Sequence, residues 1–196
     1  MLTLGFDTAT QVATSALVWD GEVLAELVSR PVSVLEDVDA LFRQGGVRPS
    51  QLEAIVVGTG PGSFTSLRMG IATARALSLA LDVPVAGVST LTALAAGAPG
   101  SLPVIDARRN EVFVLDGEPR VALPAELEVE GRVCVGDGAV RYRSELEARG
   151  AEIPPDDDER HLPRARFHVE LADGYGPAEL VEPIYLRVPD AERSRA

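Results

Sequence analysis

No lysine occurs in the 196 residues; all eighteen basic side chains are arginine. Schiff-base chemistry and a Walker-type phosphate lysine are thereby excluded. Cysteine occurs once, at Cys134, so the chain can form no disulfide of its own and a reducing compartment is expected. The context Arg132-Val133-Cys134-Val135-Gly136 reads as a buried strand, with the thiol a packing group and not a nucleophile. Histidine is nearly as scarce, with only His161 and His168, so an H-E-x-x-H zinc site is ruled out. Seven residues apart, these two are expected on one helical face, at or near the surface. Aromatic residues make up 5% of the chain, which leaves the core to Val, Leu, Ile and Ala. No apolar run can span a bilayer: the Ala/Leu-rich stretch 71–81 is too short and contains Arg75. The start is a short strand containing Asp7, without a basic region before an apolar run, so a cytoplasmic location with no membrane partner is expected.

What is present is acid. The formal net charge is -12, and both halves are negative, with five basic and nine acidic side chains in residues 1–100. Neither half is a basic footprint, so any RNA this protein serves must be held by another subunit.

The pattern is α/β. Leu2–Phe6, Val12–Trp19 and Glu22–Val28 read as three strands, the last two joined by an Asp20-Gly21 hairpin turn. A dinucleotide-binding fold would place a helix after the first strand instead. Val34, Leu35, Val38, Leu41 and Phe42 then recur at helical spacing up to Gly45-Gly46. A buried strand at 54–57, a long helix at 63–81, a brief strand at 84–87 and a helix at 90–97 capped by Ser89 follow. Ala98-Pro99-Gly100-Ser101 is the boundary, giving units 1–100 and 101–196. The second unit restarts with strands at 103–106 and 112–115 around an Arg109-Asn110 turn. Short strands at 121–123, 127–129 and 132–135 come next, then helices at 139–149 and 159–171. The acidic run Asp156–Glu159 between those helices reads as a solvated loop and helix start. Pro183–Arg187 is a last extended segment, and the tail after Pro189 is expected to be loose.

Asp7, ending the first strand, is the most suggestive carboxylate. With Thr8 and Thr10 it could hold phosphate and magnesium at a hairpin, or it could simply accept N–H bonds from its own turn. The loop Gly58-Thr59-Gly60-Pro61-Gly62-Ser63-Phe64-Thr65 is neither a Walker loop nor G-x-G-x-x-G, and Ser63 or Thr65 can cap the helix that follows. On that helix Leu67, Ile71, Leu77 and Leu81 form a bulky stripe. Met69, Ala72, Ala76 and Ala80 form a second, weakly polar face that suits a partner helix. Asp106 and Glu111 flank Arg108-Arg109, as an ion-pair network or as the lip of a site.

Leu4-Gly5-Phe6-Asp7-Thr8-Ala9-Thr10 and Val57–Gly70, with its central Gly60, Pro61, Gly62, Ser63 and Thr65, closely resemble the bacterial TsaB (YeaZ) family. Later blocks at 84–91, 106–113, 136–139 and 183–187 look similar, although Ser66 replaces a usual glycine and residues 106–113 diverge. The resemblance implies an actin/Hsp70/sugar-kinase-like (ASKHA) fold of two ribonuclease-H-like lobes. It also implies a noncatalytic role in forming N6-threonylcarbamoyladenosine at position 37 of tRNAs. The implied partners are a metal-containing TsaD-like paralogue and a TsaE-like ATPase, with homodimers also supported and tRNA met only through the complex. The implied contact surface includes Leu35, Val38 and Leu41 on the first helix and Arg68, Met69, Ala72 and Ala76 on the second. No cofactor or metal is assigned to the chain itself, and ATP or ADP with magnesium would belong to the assembled complex. A small phosphotransferase or ATPase using Asp7 with magnesium is the alternative.

Overall fold

The chain opens with short apolar strands joined by tight polar turns, so that each strand pairs at once with its neighbour in the sequence. In the computed structural model, which describes residues 1–187, β1 (Leu2–Asp7), β2 (Ala13–Trp19) and β3 (Glu22–Ser29) form this meander. Asp20 and Gly21 both take positive φ, 48° and 86°, the primed-turn geometry whose twist matches the two strands. β4 (Ala54–Gly58) and β5 (Val85–Val88) add in parallel, giving the order β3-β2-β1-β4-β5. Being central, β1 and β4 are buried along their whole length.

One face of this sheet is covered by α1 (Val34–Gly45), ended by left-handed Gly46, and by α2 (Phe64–Leu81). Leu4, Phe6, Leu17, Ile55 and Val57 of the sheet pack there against Val38, Leu41 and Phe42 of α1 and Leu67, Ile71 and Ala74 of α2. α3 (Thr90–Gly97) then leads to a second sheet. That sheet has the order β8-β7-β6-β9, from β6 (Leu102–Arg108), β7 (Glu111–Asp116), β8 (Glu118–Ala122) and β9 (Cys134–Val135). α4 (Asp137–Arg141) and α5 (Arg143–Glu147) complete its core, where Val104, Val114, Cys134, Ala139 and Leu146 meet. Leu91 and Leu94 of α3 pack on Ile105, Phe113 and Val135, joining the lobes.

The C-terminal part does not stay in the second lobe. α6 (Ala165–Leu171) crosses back to cover the open face of the first sheet, packing Ala165 and Val169 on Ala16 and Val18. Residues 176–187 follow as a strap along α2. Gly176 pairs with Val85, and Arg75 donates to the carbonyls of Ala178, Glu179 and Val181 at 3.3, 3.3 and 2.8 Å. The Ile184 N–H donates to Thr59 O at 2.8 Å, and Arg187 ends the strap on Ala107 O and Glu111 in the second lobe. The 98–101 boundary thus separates two sheets, but the polypeptide serves the first lobe again after residue 164.

Four expectations need correction. The single helix at 139–149 is two, α4 and α5, parted at Tyr142 (φ -104°, ψ 22°). The helix at 159–171 is a 3-10 turn, Glu159–His161, and then α6. Pro163 lacks an N–H and holds Leu162 extended at φ -101°, ψ 130°. Residues 127–129 form no strand; Leu127 and Val129 are buried loop residues after the 3-10 turn Pro124–Glu126. The histidines share no face and neither is at the surface: His161 sits in the 3-10 turn and His168 on α6, both buried. The expectation for the tail after Pro189 falls outside the described residues. Among the described residues, no helix is long and apolar enough to cross a membrane.

Candidate functional site

Asp7 ends β1 at 1% exposure, and its carboxylate meets donors from three directions. Oδ1 accepts the Ala9 N–H at 2.6 Å, and Oδ2 accepts the Thr90 hydroxyl at 2.6 Å. His168 of α6, at 0% exposure, brings Nε2 to within 2.8 Å of the same Oδ2, while its Nδ1 faces Arg164 O at 3.3 Å. A buried carboxylate needs such partners, because an unpaired one costs several kcal/mol. Thr90 Oγ1 also accepts the Gly60 N–H at 3.1 Å, so the same cluster fixes the glycine loop. Gly58 must be glycine: a Cβ there would lie 2.2 Å from Asp7 Cγ.

The rest of the turn is joined to the start of α2. Thr8 Oγ1 donates to Ser66 O at 2.7 Å, and the Ser63 N–H donates to Ala9 O at 2.7 Å. Thr10, also buried, donates to Val12 O at 3.1 Å. Ser63 and Ser89 occupy N-cap positions without side-chain cap bonds; Ser63 Oγ instead pairs with Ser66 Oγ at 3.2 Å. Thr65 is exposed in the first turn of α2, and the Gly60–Pro61 peptide of the preceding loop is cis.

Of the named surface residues, Ala72 and Ala76 are exposed, Met69 is half-buried, and Leu79 on the same side of α2 is 87% exposed. Arg68 is exposed but engaged: its guanidinium lies 4.0 Å over the Phe64 ring, and Nε donates to Tyr185 Oη at 2.7 Å. Of the three named on α1, only Leu35 reaches solvent, at 59%. Val38 and Leu41 point into the core, because α1 buries the face they share with Val34 and Phe42.

Between the lobes lies a cleft of about 950 Å³, lined on one side by Ala9, Thr10 and Gly62 and on the other by Asp106, Arg108 and Asp137. The Asp106 side chain is 2% exposed. Its Oδ1 accepts the Arg108 N–H at 2.9 Å, whereas Oδ2 takes no hydrogen bond among the described residues. The Arg108 and Arg141 guanidiniums stand 3.5 and 3.6 Å from that oxygen. Asp137 Oδ1 accepts the Asp106 N–H at 2.9 Å, and burial pushes its carboxyl above the usual range. Arg108, Arg109 and Asn110 all take left-handed φ, 62°, 55° and 59°, a rare run for residues with a Cβ.

With this geometry in place the likenesses can be weighed. A family model described as TsaD, tRNA N6-adenosine threonylcarbamoyltransferase, matches residues 27–128, which take in α1, α2 and the β6–β7 hairpin. An uncharacterised protein of Mycobacterium tuberculosis is 36% identical over 202 residues, covering 96% of this chain and 93% of its own length. The tRNA threonylcarbamoyladenosine biosynthesis protein TsaB of Haemophilus influenzae is 36% identical over 120 residues, 56% of this chain and 51% of that protein. A solved Pseudomonas aeruginosa structure, described as similar to peptidase YeaZ, superposes with a TM-score of 0.76 at 27% identity. It covers 95% of this chain and 99% of its own. The chain belongs to the TsaB (YeaZ) family. Its match spans about half the length of the Haemophilus TsaB. The two lobes are those of the actin/Hsp70/sugar-kinase fold.

For this TsaB-family chain the turn at Asp7 was legible in the sequence, but its partners were not. His168 comes 161 residues later, and no spacing rule links the two. Thr90 was missed for the same reason; the only signal was its place at the start of a helix following the Gly-Pro-Gly loop. His161 is equally committed, with Nδ1 accepting the Gly136 N–H at 3.0 Å and Nε2 facing Pro154 O at 3.1 Å. Among the described residues no group of three or more potential metal ligands lies together.

Proposed function

We propose that the chain is a noncatalytic subunit supporting a metal-containing TsaD-like transferase in forming N6-threonylcarbamoyladenosine at position 37 of tRNAs reading codons that begin with adenine. The observation that carries this reading is the face of α2. Met69, Ala72, Ala76 and Leu79 form a weakly polar strip on a lobe that the transferase family model itself matches. Small residues let a second helix approach closely, and Leu79 gives it apolar area to cover. Leu35 on α1 offers a further exposed apolar side chain. The partner supplies the metal, since both imidazoles here are engaged inside the protein. It also supplies the RNA affinity, since this chain carries a net charge of -12. A TsaE-like ATPase completes the assembly, the same strip serves a homodimer in the partner's absence, and the protein works in the cytoplasm.

ATP or ADP with magnesium belongs to the assembled complex, and the interlobe cleft is the place with room for it. Asp7, Thr8 and Thr10 are buried and hydrogen-bonded, a poor fit to a metal–phosphate group. Asp106 Oδ2, held only by ion pairs to the exposed guanidiniums of Arg108 and Arg141, fits better, with Asp137 beside it to hold a metal's waters and Arg108 able to turn to phosphate oxygens. The phosphotransferase alternative is weaker, because it needs the Asp7 carboxylate that His168 already holds.

The test is threonylcarbamoyl transfer to tRNA with the TsaD-like, TsaE-like and adenylate-forming TsaC-like proteins of the same organism, with and without this chain. Modification is expected to require the chain and to fall at least tenfold with Met69→Arg or Ala72→Arg. Modification indifferent to the chain's presence would sink the reading.

A further inference from the structure

The turn at residues 7–10 is filled by the chain itself. From beneath, His168 and Thr90 hold Asp7. From the side, α2 enters: Thr8 Oγ1 bonds Ser66 O, and Ser63 N bonds Ala9 O. Two glycines make this approach possible. A Cβ on Gly70 would stand 2.3 Å from Thr8 Oγ1, and one on Gly62 would stand 2.1 Å from Ala9 O. The loop end Gly62–Ser63 and the first half of α2 therefore meet the turn at four points, two of them hydrogen bonds and two of them close approaches that a Cβ would push apart.

We infer that Thr8, Asp7 and His168 are positioning residues: the turn is an internal socket that sets the rotation of α2 about its own axis. That rotation decides how Met69, Ala72, Ala76 and Leu79 face a partner. With side chains about 5 Å from the helix axis, a twist of roughly 20° moves the strip by about 2 Å, enough to mismatch close-packed helices. Thr8 is the direct control, since its hydroxyl reaches the α2 backbone while its own position is fixed by β1 and the Asp7 cluster. The strap holds a different side of the same helix through Arg75, so the socket and the strap grip α2 from two sides.

The inference rests on the proposed pairing with a TsaD-like subunit. Its test measures binding of the full chain to that subunit by calorimetry at 25 °C, beside thermal melting and amide exchange along α2. Thr8→Val is expected to remain folded by circular dichroism yet bind at least tenfold more weakly, with faster exchange at residues 66–70. Thr8→Ser, which keeps the hydroxyl, is expected to restore both. Gly70→Ala, which pushes Thr8 away without removing its hydroxyl, is expected to reproduce the Thr8→Val defect. Unchanged affinity in Thr8→Val would overturn the inference and leave the pairing intact. Binding of magnesium–ADP to the free wild-type chain that Thr8→Val abolishes would show the turn to be a ligand site and overturn it as well. Failure of the wild-type chain to bind the subunit at all would overturn both.

Discussion

Each lobe places an aspartate on its first strand beside a hairpin at the cleft, and the two meet opposite fates. Asp7 in the first lobe takes a backbone N–H, a hydroxyl and an imidazole. Asp106 in the second has one oxygen that takes no hydrogen bond among the described residues and is ion-paired, at 3.5 and 3.6 Å, to two guanidiniums. Around Asp7 the chain has closed in with α2, α3 and α6. Around Asp106 the wall stays open to a cleft, and its turn runs through three left-handed residues. Packed, satisfied polar groups specify structure, whereas a carboxylate oxygen held only by exposed, movable guanidiniums can exchange partners. The first lobe uses its hairpin as scaffold; the second leaves Asp106 on the wall of the cleft.

The largest effect that would break this contrast comes from truncating the two carboxylates. Asp7→Ala leaves the Ala9 N–H, the Thr90 hydroxyl and His168 unmatched inside the protein, and about 3–5 kcal/mol of stability is expected to be lost in urea titrations. Asp106→Ala removes an oxygen ion-paired to the exposed guanidiniums of Arg108 and Arg141 and one that bonds the Arg108 N–H, so only about 1–2 kcal/mol is expected. Equal losses would erase the distinction.

Glycine substitutions come next. Gly62→Ala drives a methyl into Ala9 O and is expected to cost about 1–3 kcal/mol. Gly117→Ala, at φ 77° with open space around it, carries backbone strain only, about 1 kcal/mol. A Gly62→Ala protein as stable as Gly117→Ala would mean that the turn and α2 are not tightly joined.

A smaller effect reads the open lobe through acid. Burial raises the Asp137 carboxyl above its ordinary 3.8, so the folded chain takes up this proton before the unfolded chain does. The cost of keeping the group charged is fully present above the folded value, is relieved as pH falls through it, and is gone below 3.8. Asp137→Asn is therefore expected to stabilise the protein at pH 7 and to lose that advantage in urea titrations near pH 4. The reverse order would refute the assignment of burial as the cause.

The least disruptive probe is Cys134, whose thiol burial pushes up to about 11. At pH 8 its alkylation by iodoacetamide is expected to be on the order of 100-fold slower in the folded chain than in urea. It reports opening of the second lobe. If His168→Ala loosens the first lobe alone, Cys134 stays protected; rapid labelling in that variant would show that the lobes open together.

Local pattern announced most of this architecture. The Asp20-Gly21 turn, the spacing of Val34, Val38 and Leu41, and the Gly60-Pro61-Gly62 run placed β1 to α3 because their causes lie within a few residues. The same spacing misled about surface, since Val38 and Leu41 repeat at helical intervals precisely where α1 faces the core. Pro163 was visible, yet the periodicity around it hid the break in the last helix. At the candidate site, Asp7 stood out by its place at a strand end. What held it stayed hidden, because a carboxylate that binds magnesium and one that binds a distant imidazole look alike until the chain has folded.

The contact between Asp7 and His168 spans 161 residues and so also sets a timetable. During synthesis at about 5–20 residues per second, the first strand waits roughly 8–32 s for the imidazole that completes its surroundings. Until then a half-made lobe leaves the ribosome with a carboxylate in its centre and one sheet face bare. The nascent chain is therefore expected to need shelter over most of its length, and its first hundred residues to be a poor choice for expression alone.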